Sequence, residues 1–291
     1  MLRLLLGLAA SLPIGVALRV GATLGRLAFR LLRSQRSLAL DHLALAFPDK
    51  TASERWALAE ACFAELGRCG LEACAAGKIQ PRLRDYVRWP DEEIESLRMD
   101  LAGGGGGIFV TGHLGNWELL ARRIAAEGFD HAVVVRDSGD PRLSDLVRRF
   151  RSAGGVRTVG RGQGLAPVRE MLSAFRRGAL IAFLIDQDTR VQGVQVPFFG
   201  RLAHTPTVAE DLARRTGAPV FVGFVHRHPD GGHRMHTERV PWDASMPPLT
   251  ALLTRRIEEE IRSHPTDWVW MHRRWKRGAV QPTENTVLSS A

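Results

Sequence analysis

From residue 108 onward, short apolar runs alternate with longer segments of helical periodicity. The apolar runs, which have the length and composition of β-strands, are residues 108–110, 132–135, 180–185 and 220–225. The periodic segments are residues 116–127, 141–153, 165–177 and 207–216. Because parallel strands need crossover connections, which are usually helices, this alternation predicts an α/β fold. We expect a mixed, mainly parallel central sheet with helices on both of its faces.

The segments after the alternation complete this domain. Residues 235–240 are predicted to add an antiparallel strand, and residues 248–263 a last amphipathic helix. The chain has no repeats and no low-complexity linker, so we predict one domain over residues 33–280. Residues 1–32 form a separate N-terminal hydrophobic segment, and residues 281–291 are expected to be a disordered tail.

A helix is also predicted before the alternation. Thr51 and Glu54 have the spacing of a capping box, in which each residue satisfies a backbone N–H at the start of a helix. The helix that begins there is expected to run to about residue 76. The polar stretch over residues 79–101 is expected to be irregular or to form a short helix.

The composition restricts the possible partners. Lys and Arg number 40 and Asp and Glu number 31, which gives a net charge of +9. This charge predicts attraction to an anionic membrane surface, to an acidic protein or to nucleic acid. Because Tyr86 is the only tyrosine, stacking platforms for nucleic-acid bases are scarce and we expect no nucleic-acid partner. The three cysteines, which contain no CxxC pair, indicate a reduced, cytoplasmic environment and no disulfide framework.

The N-terminal segment is apolar but short. Residues 4–18 are almost purely apolar, and fifteen residues fall short of the roughly 20 that a membrane-spanning helix needs. Arg19, Arg26 and Arg30 recur at about helical spacing, which predicts a helix lying in or dipping into the membrane interface. Two alternatives stay open at this point, a buried helix of the domain and a cleaved signal peptide.

A histidine and a glutamate five residues apart follow the first predicted strand. The hexapeptide that contains them is His113-Leu114-Gly115-Asn116-Trp117-Glu118. If His113 lies in the turn and Glu118 in the first turns of the next helix, the carboxylate can orient an imidazole that acts as a general base. Asn116 is a candidate N-cap, and the backbone N–H groups of Gly115 and Asn116 could stabilise an oxyanion. The alternative is a turn histidine hydrogen-bonded to a nearby acid.

Further polar residues are predicted at the same edge of the sheet. Arg136 and Asp186 follow two other predicted strands, and ligands of open α/β sheets bind beyond the carboxyl ends of the strands. Arg161, between two glycines before a predicted helix, could bind phosphate or lie in an ordinary turn. Gln187 and Asp188 continue the motif that begins at Asp186. Two carboxylates could bind a metal, but no further ligand motif supports one, so we expect no metal and a role in orienting arginines or the acceptor.

The order of these motifs resembles the lipid A late acyltransferase (lauroyl/myristoyl acyltransferase) family, within the lysophospholipid acyltransferase superfamily. The similarity extends over about residues 12–277. The other segments that carry it, in chain order, are the leucine-rich N-terminus, Phe47-Pro48, Asp186-Gln187-Asp188, Pro197-Phe198-Phe199-Gly200, Thr205-Pro206-Thr207 and Trp270-Met271-His272-Arg273-Arg274-Trp275-Lys276. The chain departs from the family at Asp140-Pro141, where an asparagine is missing, which leaves the identity of the acceptor open.

The resemblance implies a glycerolipid acyltransferase-like fold at the cytoplasmic face of the inner membrane. It implies transfer of a fatty acyl group from acyl carrier protein to a hydroxyl of a lipid A precursor or related glycolipid. Acyl-acyl carrier protein is then a co-substrate, and no cofactor is expected. The family's catalytic pair corresponds to His113 and Glu118, and Arg136 and Arg161 would hold phosphate on the acceptor or on the arm of the carrier protein.

The expected reaction is a direct transfer, because no serine or cysteine adjoins His113 in the sequence. His113 would deprotonate the acceptor hydroxyl, which then attacks the thioester carbonyl. Three alternatives are kept: an acyltransferase for another phospholipid acceptor, a lipid hydrolase that activates water with the same pair, and a non-enzymatic protein that binds polyanions. Free fatty acid as the product would indicate the hydrolase. Salt-sensitive binding to a polyanion without catalysis would indicate the non-enzymatic protein.

Overall fold

The computed structural model describes residues 11–135, 140–160, 165–243 and 245–277. The helices are α1 Ile14–Leu31, α2 Arg33–Ala46, α3 Ala52–Cys74, α4 Ala76–Ile79, α5 Leu83–Tyr86, α6 Asp91–Leu101, α7 Trp117–Ala126, α8 Pro141–Ser152, α9 Leu165–Arg176, α10 Val208–Thr216 and α11 Leu249–Ser263. The strands are β1 Val87–Arg88, β2 Gly107–Thr111, β3 His131–Val135, β4 Arg157–Gly160, β5 Leu180–Leu184, β6 Gly193–Phe198, β7 Arg201–Pro206, β8 Val220–Arg227 and β9 His233–Val240.

Seven of these strands form the central sheet, in the order β1-β9-β8-β2-β5-β3-β4. Strands β2, β3, β4, β5 and β8 run parallel to one another, whereas β9 is antiparallel to β8. The predicted mixed, mainly parallel sheet is therefore confirmed. The antiparallel strand predicted over residues 235–240 is also confirmed, as β9. Because the five parallel strands share a direction, their carboxyl ends meet at one edge of the sheet.

The central strand β2 shows why helices cover both faces. All five of its residues are buried. Side chains alternate along a strand, so Ile108 and Val110 face one hydrophobic cluster and Phe109 faces another. Leu253 of α11 belongs to the first cluster and Leu119 of α7 to the second. Burial on both sides explains why β2 is a continuous apolar run rather than an alternating one.

Some elements differ from the sequence predictions. Strand β4 was not predicted, because its sequence Arg-Thr-Val-Gly is polar and it forms an edge of the sheet. The antiparallel pair β6–β7 was also not predicted. The stretch 79–101, predicted to be irregular or to form a short helix, contains the short helices α5 and α6. Helix α6 follows Pro90 and has three acidic residues in its first turn, where they suit the helix dipole. The capping box at Thr51 and Glu54 is confirmed.

Helix α1 packs against α3 through direct backbone contacts as well as through Phe29, whose ring packs edge-on against Trp56 and Phe63. A Cβ atom on Gly25 would overlap the carbonyl oxygen of Phe63, and one on Gly67 would overlap the carbonyl oxygen of Gly21. Only glycine allows the two helices to approach this closely. One face of α1 is thus buried against the domain, as in the alternative of a domain helix.

The opposite face of α1 is apolar and exposed. Its outward side chains are Val16, Val20, Leu24, Leu27 and Leu31. No helix within the described part of the chain combines the length and hydrophobicity that crossing a bilayer requires.

Candidate active site

A cavity of about 420 Å³ lies between the carboxyl edge of the sheet and helices α7 and α8. Its polar wall contains His113, Glu118, Arg151 and Gln187. Its floor is formed by apolar and small side chains of β3 and β5, namely Val133, Val135, Ala182 and Leu184. The cavity therefore combines titratable groups at one side with a surface suited to an apolar chain.

His113 and Asp186 meet because their strands are neighbours in the sheet. His113 follows β2 and Asp186 follows β5, and these two strands pair in parallel. The Nδ1 atom of His113 lies 2.8 Å from Oδ1 of Asp186, and the backbone N–H of His113 donates to Oδ2 over 2.8 Å. The indole N–H of Trp268 donates to the same Oδ2 over 2.8 Å. Three donors thus converge on one buried carboxylate.

The environment of Asp186 keeps it ionised. Burial alone would raise the pKa of this carboxyl, but the charge and hydrogen bonds of His113, with the hydrogen bond from Trp268, lower the pKa to about 2. A carboxylate can only accept hydrogen bonds, so the proton of a neutral His113 lies on Nδ1. Nε2 is then the basic nitrogen of the ring, as a general base requires.

Glu118 does not contact His113 as the sequence predicted. Its carboxylate instead accepts two hydrogen bonds from Arg151 of α8, with distances of 3.0 Å from Nε to Oε2 and 2.6 Å from Nη2 to Oε1. The prediction that Glu118 orients the imidazole is therefore corrected, because Asp186 occupies Nδ1. Five residues of spacing suggested Glu118, whereas the actual partner of His113 lies 73 positions away. Arg151 was missed because it is one of several arginines on α8.

Gly115 and Asn116 shape the turn after β2, and the predicted oxyanion contact of the Asn116 N–H stays a prediction. The backbone N–H of Gly115 donates to the carbonyl oxygen of Asp267 over 3.0 Å, so it is already used and the predicted oxyanion contact of this N–H is wrong. Gly115 has φ +55°, and a Cβ atom there would overlap the carbonyl oxygen of Val225. The side chain of Asn116 accepts from the N–H of Leu119 over 3.2 Å, which confirms it as the N-cap of α7.

A buried ionic network lies beneath this N-cap. Asn116 Nδ2 donates to Oε2 of Glu72 on α3 over 2.9 Å, and Arg227 donates to both oxygens of Glu72 over 2.8 Å. His233 Nε2 lies 3.0 Å from the same carboxylate. Burial alone would raise the pKa of Glu72, but His233 and Arg227 outweigh it and hold the pKa well below its usual range. The start of α7 therefore rests on a fixed negative charge.

The remaining predicted site residues have different positions. Asp188 accepts from Nε of Arg277 over 2.6 Å and from its backbone N–H over 2.9 Å, which is the orienting role toward an arginine expected from the sequence. Gln187 lines the cavity. Arg136 and Arg161 lie outside the described residues.

The aromatic residues near the site are mostly structural. Phe198 is fully buried and packs edge-on against Trp268, so it fills the core rather than lining the cavity. Trp117 is the exception, because its ring meets that of His113 edge-on at 5.0 Å and also lines the cavity. The motif thus supplies both the histidine and an aromatic neighbour that limits its rotation.

The model of the family described as bacterial lipid A biosynthesis acyltransferase matches residues 2–277. The chain belongs to this family. It is 28% identical to the lipid A biosynthesis lauroyltransferase of Escherichia coli (strain K12), over 93% of this chain and 89% of the relative. It is 28% identical to the myristoyltransferase of lipid A biosynthesis from the same organism, over 92% of this chain and 84% of the relative.

The chain is also similar to a second group of acyltransferases. The chain is 27% identical to a phosphatidylinositol mannoside acyltransferase of Mycolicibacterium smegmatis (strain ATCC 700084 / mc(2)155), over 63% of this chain and 61% of that relative. The relatives in both groups are named acyltransferases. The protein is accordingly an O-acyltransferase.

The contact between Asp186 and His113 generates a first prediction. Asp186→Asn keeps the shape of the side chain but removes the charge that fixes the imidazole, so we expect the turnover of acyl transfer to fall by about 10²–10⁴-fold with the fold retained. Initial rates and thermal melting would be measured side by side. Asp230→Asn, at an exposed aspartate, is the control and should keep its rate. Equal rates for the two variants would contradict the role of Asp186.

A second prediction concerns His131, which is buried and lines the cavity. Burial lowers the pKa of this histidine to about 4, from an ordinary value of 6.5. As the pH falls below 6.5 the unfolded chain gains a proton that the folded state does not, so folding stability decreases until about pH 4. We expect protonation of this group in the unfolded chain to lower the free energy of unfolding by about 3 kcal/mol over that pH interval. Urea unfolding of the wild type and of His131→Asn at several pH values would show a flatter pH dependence for the variant, and parallel curves would contradict the assignment.

Proposed function

We propose that this acyltransferase moves a fatty acyl group from acyl carrier protein to a hydroxyl of a lipid A precursor or related glycolipid. The observation that carries the proposal is the His113–Asp186 pair at the wall of a cavity with an apolar floor. A histidine held in one tautomer by a carboxylate is suited to take a proton from a hydroxyl nucleophile. The similar lipid A lauroyl- and myristoyltransferases suggest the class of acceptor.

In the proposed reaction Nε2 of His113 takes the proton of the acceptor hydroxyl. The oxygen forms a bond to the thioester carbonyl carbon, and the bond from that carbon to sulfur breaks. The thiolate of the carrier arm leaves and receives the proton from His113. No covalent acyl-enzyme is formed. Asp186 stabilises the imidazolium that exists between the two proton transfers.

Glu118 keeps a place in this proposal, although not as the partner of His113. Its two hydrogen bonds hold the guanidinium of Arg151 at the cavity wall in a fixed plane. Arg148, one turn earlier on α8, lines the same cavity. Guanidinium groups in fixed orientations bind phosphate well, so these two arginines are proposed to receive phosphate from the acceptor or from the arm of the carrier protein. Arg136 and Arg161 are proposed to add to this cationic region.

The donor and the membrane surface are also part of the proposal. The net charge of +9 favours approach of an acidic carrier protein and of anionic lipid. The exposed apolar side chains of α1 stand among exposed Arg19, Arg26 and Arg30. A helix with one apolar face and arginines at its border is typical of an interfacial helix, so we place the protein at the cytoplasmic face of the inner membrane.

The similarity to phosphatidylinositol mannoside acyltransferases favours a second acceptor class, a mannosylated phospholipid. Such an acceptor also offers a sugar hydroxyl beside a phosphate, and the same histidine would activate it. Water in place of the sugar hydroxyl would make the protein a hydrolase. The lipid products distinguish these alternatives.

The test uses purified protein with acyl carrier protein loaded with chains of several lengths and with each class of acceptor. We expect the mass of a lipid A precursor to increase by one acyl group. His113→Ala should reduce this product by at least about 10³-fold, whereas His228→Ala, at a half-exposed histidine outside the cavity, should leave it unchanged. If only the mannosylated phospholipid is acylated, that lipid class is the acceptor and the lipid A precursor is not. Free fatty acid alone, or near-normal turnover without His113, would refute the transfer mechanism.

The membrane contact of α1 generates a separate prediction. Replacing Leu24 and Leu27 by Gln removes two exposed apolar side chains without altering the buried face of α1. We expect the double variant to bind anionic phospholipid vesicles more weakly in flotation experiments, because less apolar surface enters the interface. Met99→Gln, at an exposed apolar residue of α6, is the control. Equal flotation of all three proteins would contradict an interfacial role for α1.

A further inference from the structure

Three histidines surround one glutamate on a part of the molecule that the acyl cavity does not reach. Nε2 of His226 lies 2.7 Å from Oε1 of Glu260, and Nε2 of His236 lies 3.4 Å from Oε2. Nδ1 of His264 lies 3.1 Å from Oε1. None of the four residues lines the cavity that contains His113.

The fold brings these residues together from three elements. His226 is on β8 and His236 on β9, and the antiparallel register pairs Phe224 with His236, which places the two histidines diagonally on one face. Glu260 lies in the last turns of α11, which packs over that face. The ligand-type atoms of His226, His236 and Glu260 all lie within 4.8 Å of one another.

His226 gives the strongest indication of what the cluster binds. The residue is only 8% exposed, and its Nδ1 lies 2.8 Å from Oδ2 of Asp267. Its Nε2 makes no hydrogen bond with geometrically acceptable direction to any described residue, although Oε1 of Glu260 is close. If Nδ1–H donates to Asp267, Nε2 presents a lone pair toward a carboxylate oxygen. Two electron-rich atoms at 2.7 Å need a cation between or beside them, either a proton on Nε2, which makes the ring an imidazolium, or a metal ion that both atoms bind.

The partner of Nδ1 is the kind that a metal-binding histidine has. Histidines that bind metals almost always donate their second ring N–H to a carboxylate, a carbonyl or water, which fixes the tautomer and the ring orientation. His226 has this arrangement with Asp267. In a tetrahedral zinc site with bonds of about 2.0–2.1 Å, neighbouring ligand atoms lie roughly 3.4 Å apart. The separations in this cluster, 2.7 and 3.4 Å to the carboxylate oxygens and at most 4.8 Å between any two ligand atoms, lie on both sides of that value.

We propose that His226, His236 and Glu260 bind one divalent transition-metal ion of the zinc class. The ion joins β8, β9 and α11, and His264, stacked on His226 with ring centroids 3.7 Å apart, stands beside Glu260 where it can complete the coordination. Two imidazoles and one carboxylate are a ligand set that zinc accepts.

This site is connected to the active-site turn through Asp267. Its side chain contacts His226, and its carbonyl oxygen accepts the N–H of Gly115 over 3.0 Å. The next residue, Trp268, donates to Asp186. The ion therefore stabilises the segment that supports His113 and takes no part in the chemistry. This role is independent of the identity of donor and acceptor.

The experiment measures zinc binding by the full-length protein after treatment with a chelator. Isothermal titration with ZnCl₂ should give one equivalent per chain, and the melting temperature should rise with zinc. His236→Gln, at a half-exposed ligand, should weaken zinc binding at least about tenfold, since removal of a first ligand costs at least as much as the 10–100-fold typical of an outer-shell partner. His228→Gln, at the start of the β8–β9 turn and outside the cluster, should bind as the wild type does.

A second measurement covers the case in which a variant is unstable. Zinc-edge X-ray absorption of the wild type should show nitrogen and oxygen neighbours at about 2.0–2.1 Å with imidazole scattering. Absence of saturable binding, a shell of water alone, or equal affinity in His236→Gln and the wild type would overturn the proposal. A folded, zinc-loaded protein that transfers no acyl group would contradict the proposed function but not the zinc site.

Discussion

The carboxylate of Asp186 is the interaction on which the active site depends. It is buried at the end of β5, and a buried charge is tolerated only when it is paired and hydrogen-bonded. Its three donors come from the turn after β2 and from the C-terminal segment that contains Trp268. One charge therefore fixes the position of His113, its tautomer and the docking of the C-terminal segment against the sheet edge.

The network around Glu72 supports the same turn from below. Arg227, His233 and Asn116 all contact this carboxylate, and Asn116 also caps α7. The turn that carries His113 is thus held between two buried anions, Asp186 on one side and Glu72 on the other. Such satisfied polar networks are rigid, because moving any member leaves a buried charge without a partner. This rigidity suits a general base, whose geometry has to be set before the substrate arrives.

The sequence predicted most of the fold because its strongest signals are local. The central strands are buried on both faces and therefore appear as apolar runs, and the caps at Thr51 and Asn116 follow short-range rules. Strand β4 has no such signal, since a polar edge strand is defined by its neighbour in the sheet. The partner of His113 was mistaken for the same reason. Spacing along the chain suggested Glu118, whereas pairing of β2 with β5 brings Asp186 to the ring.

The close contact of α1 and α3 has a mechanical consequence. Their backbones touch at Gly25 and Phe63, and Phe29 packs against Trp56 and Phe63, so the pair has little room to slide or rotate. Helix α3 also carries Glu72, the anion beneath the N-cap of α7. If α1 lies in the bilayer interface as we propose, a tilt that lipid imposes on α1 also tilts α3. The movement of α3 then displaces Glu72 and, through Asn116, the turn that carries His113. The thickness and curvature of the membrane would then affect the rate of catalysis, because α1 and α3 move together as one rigid unit.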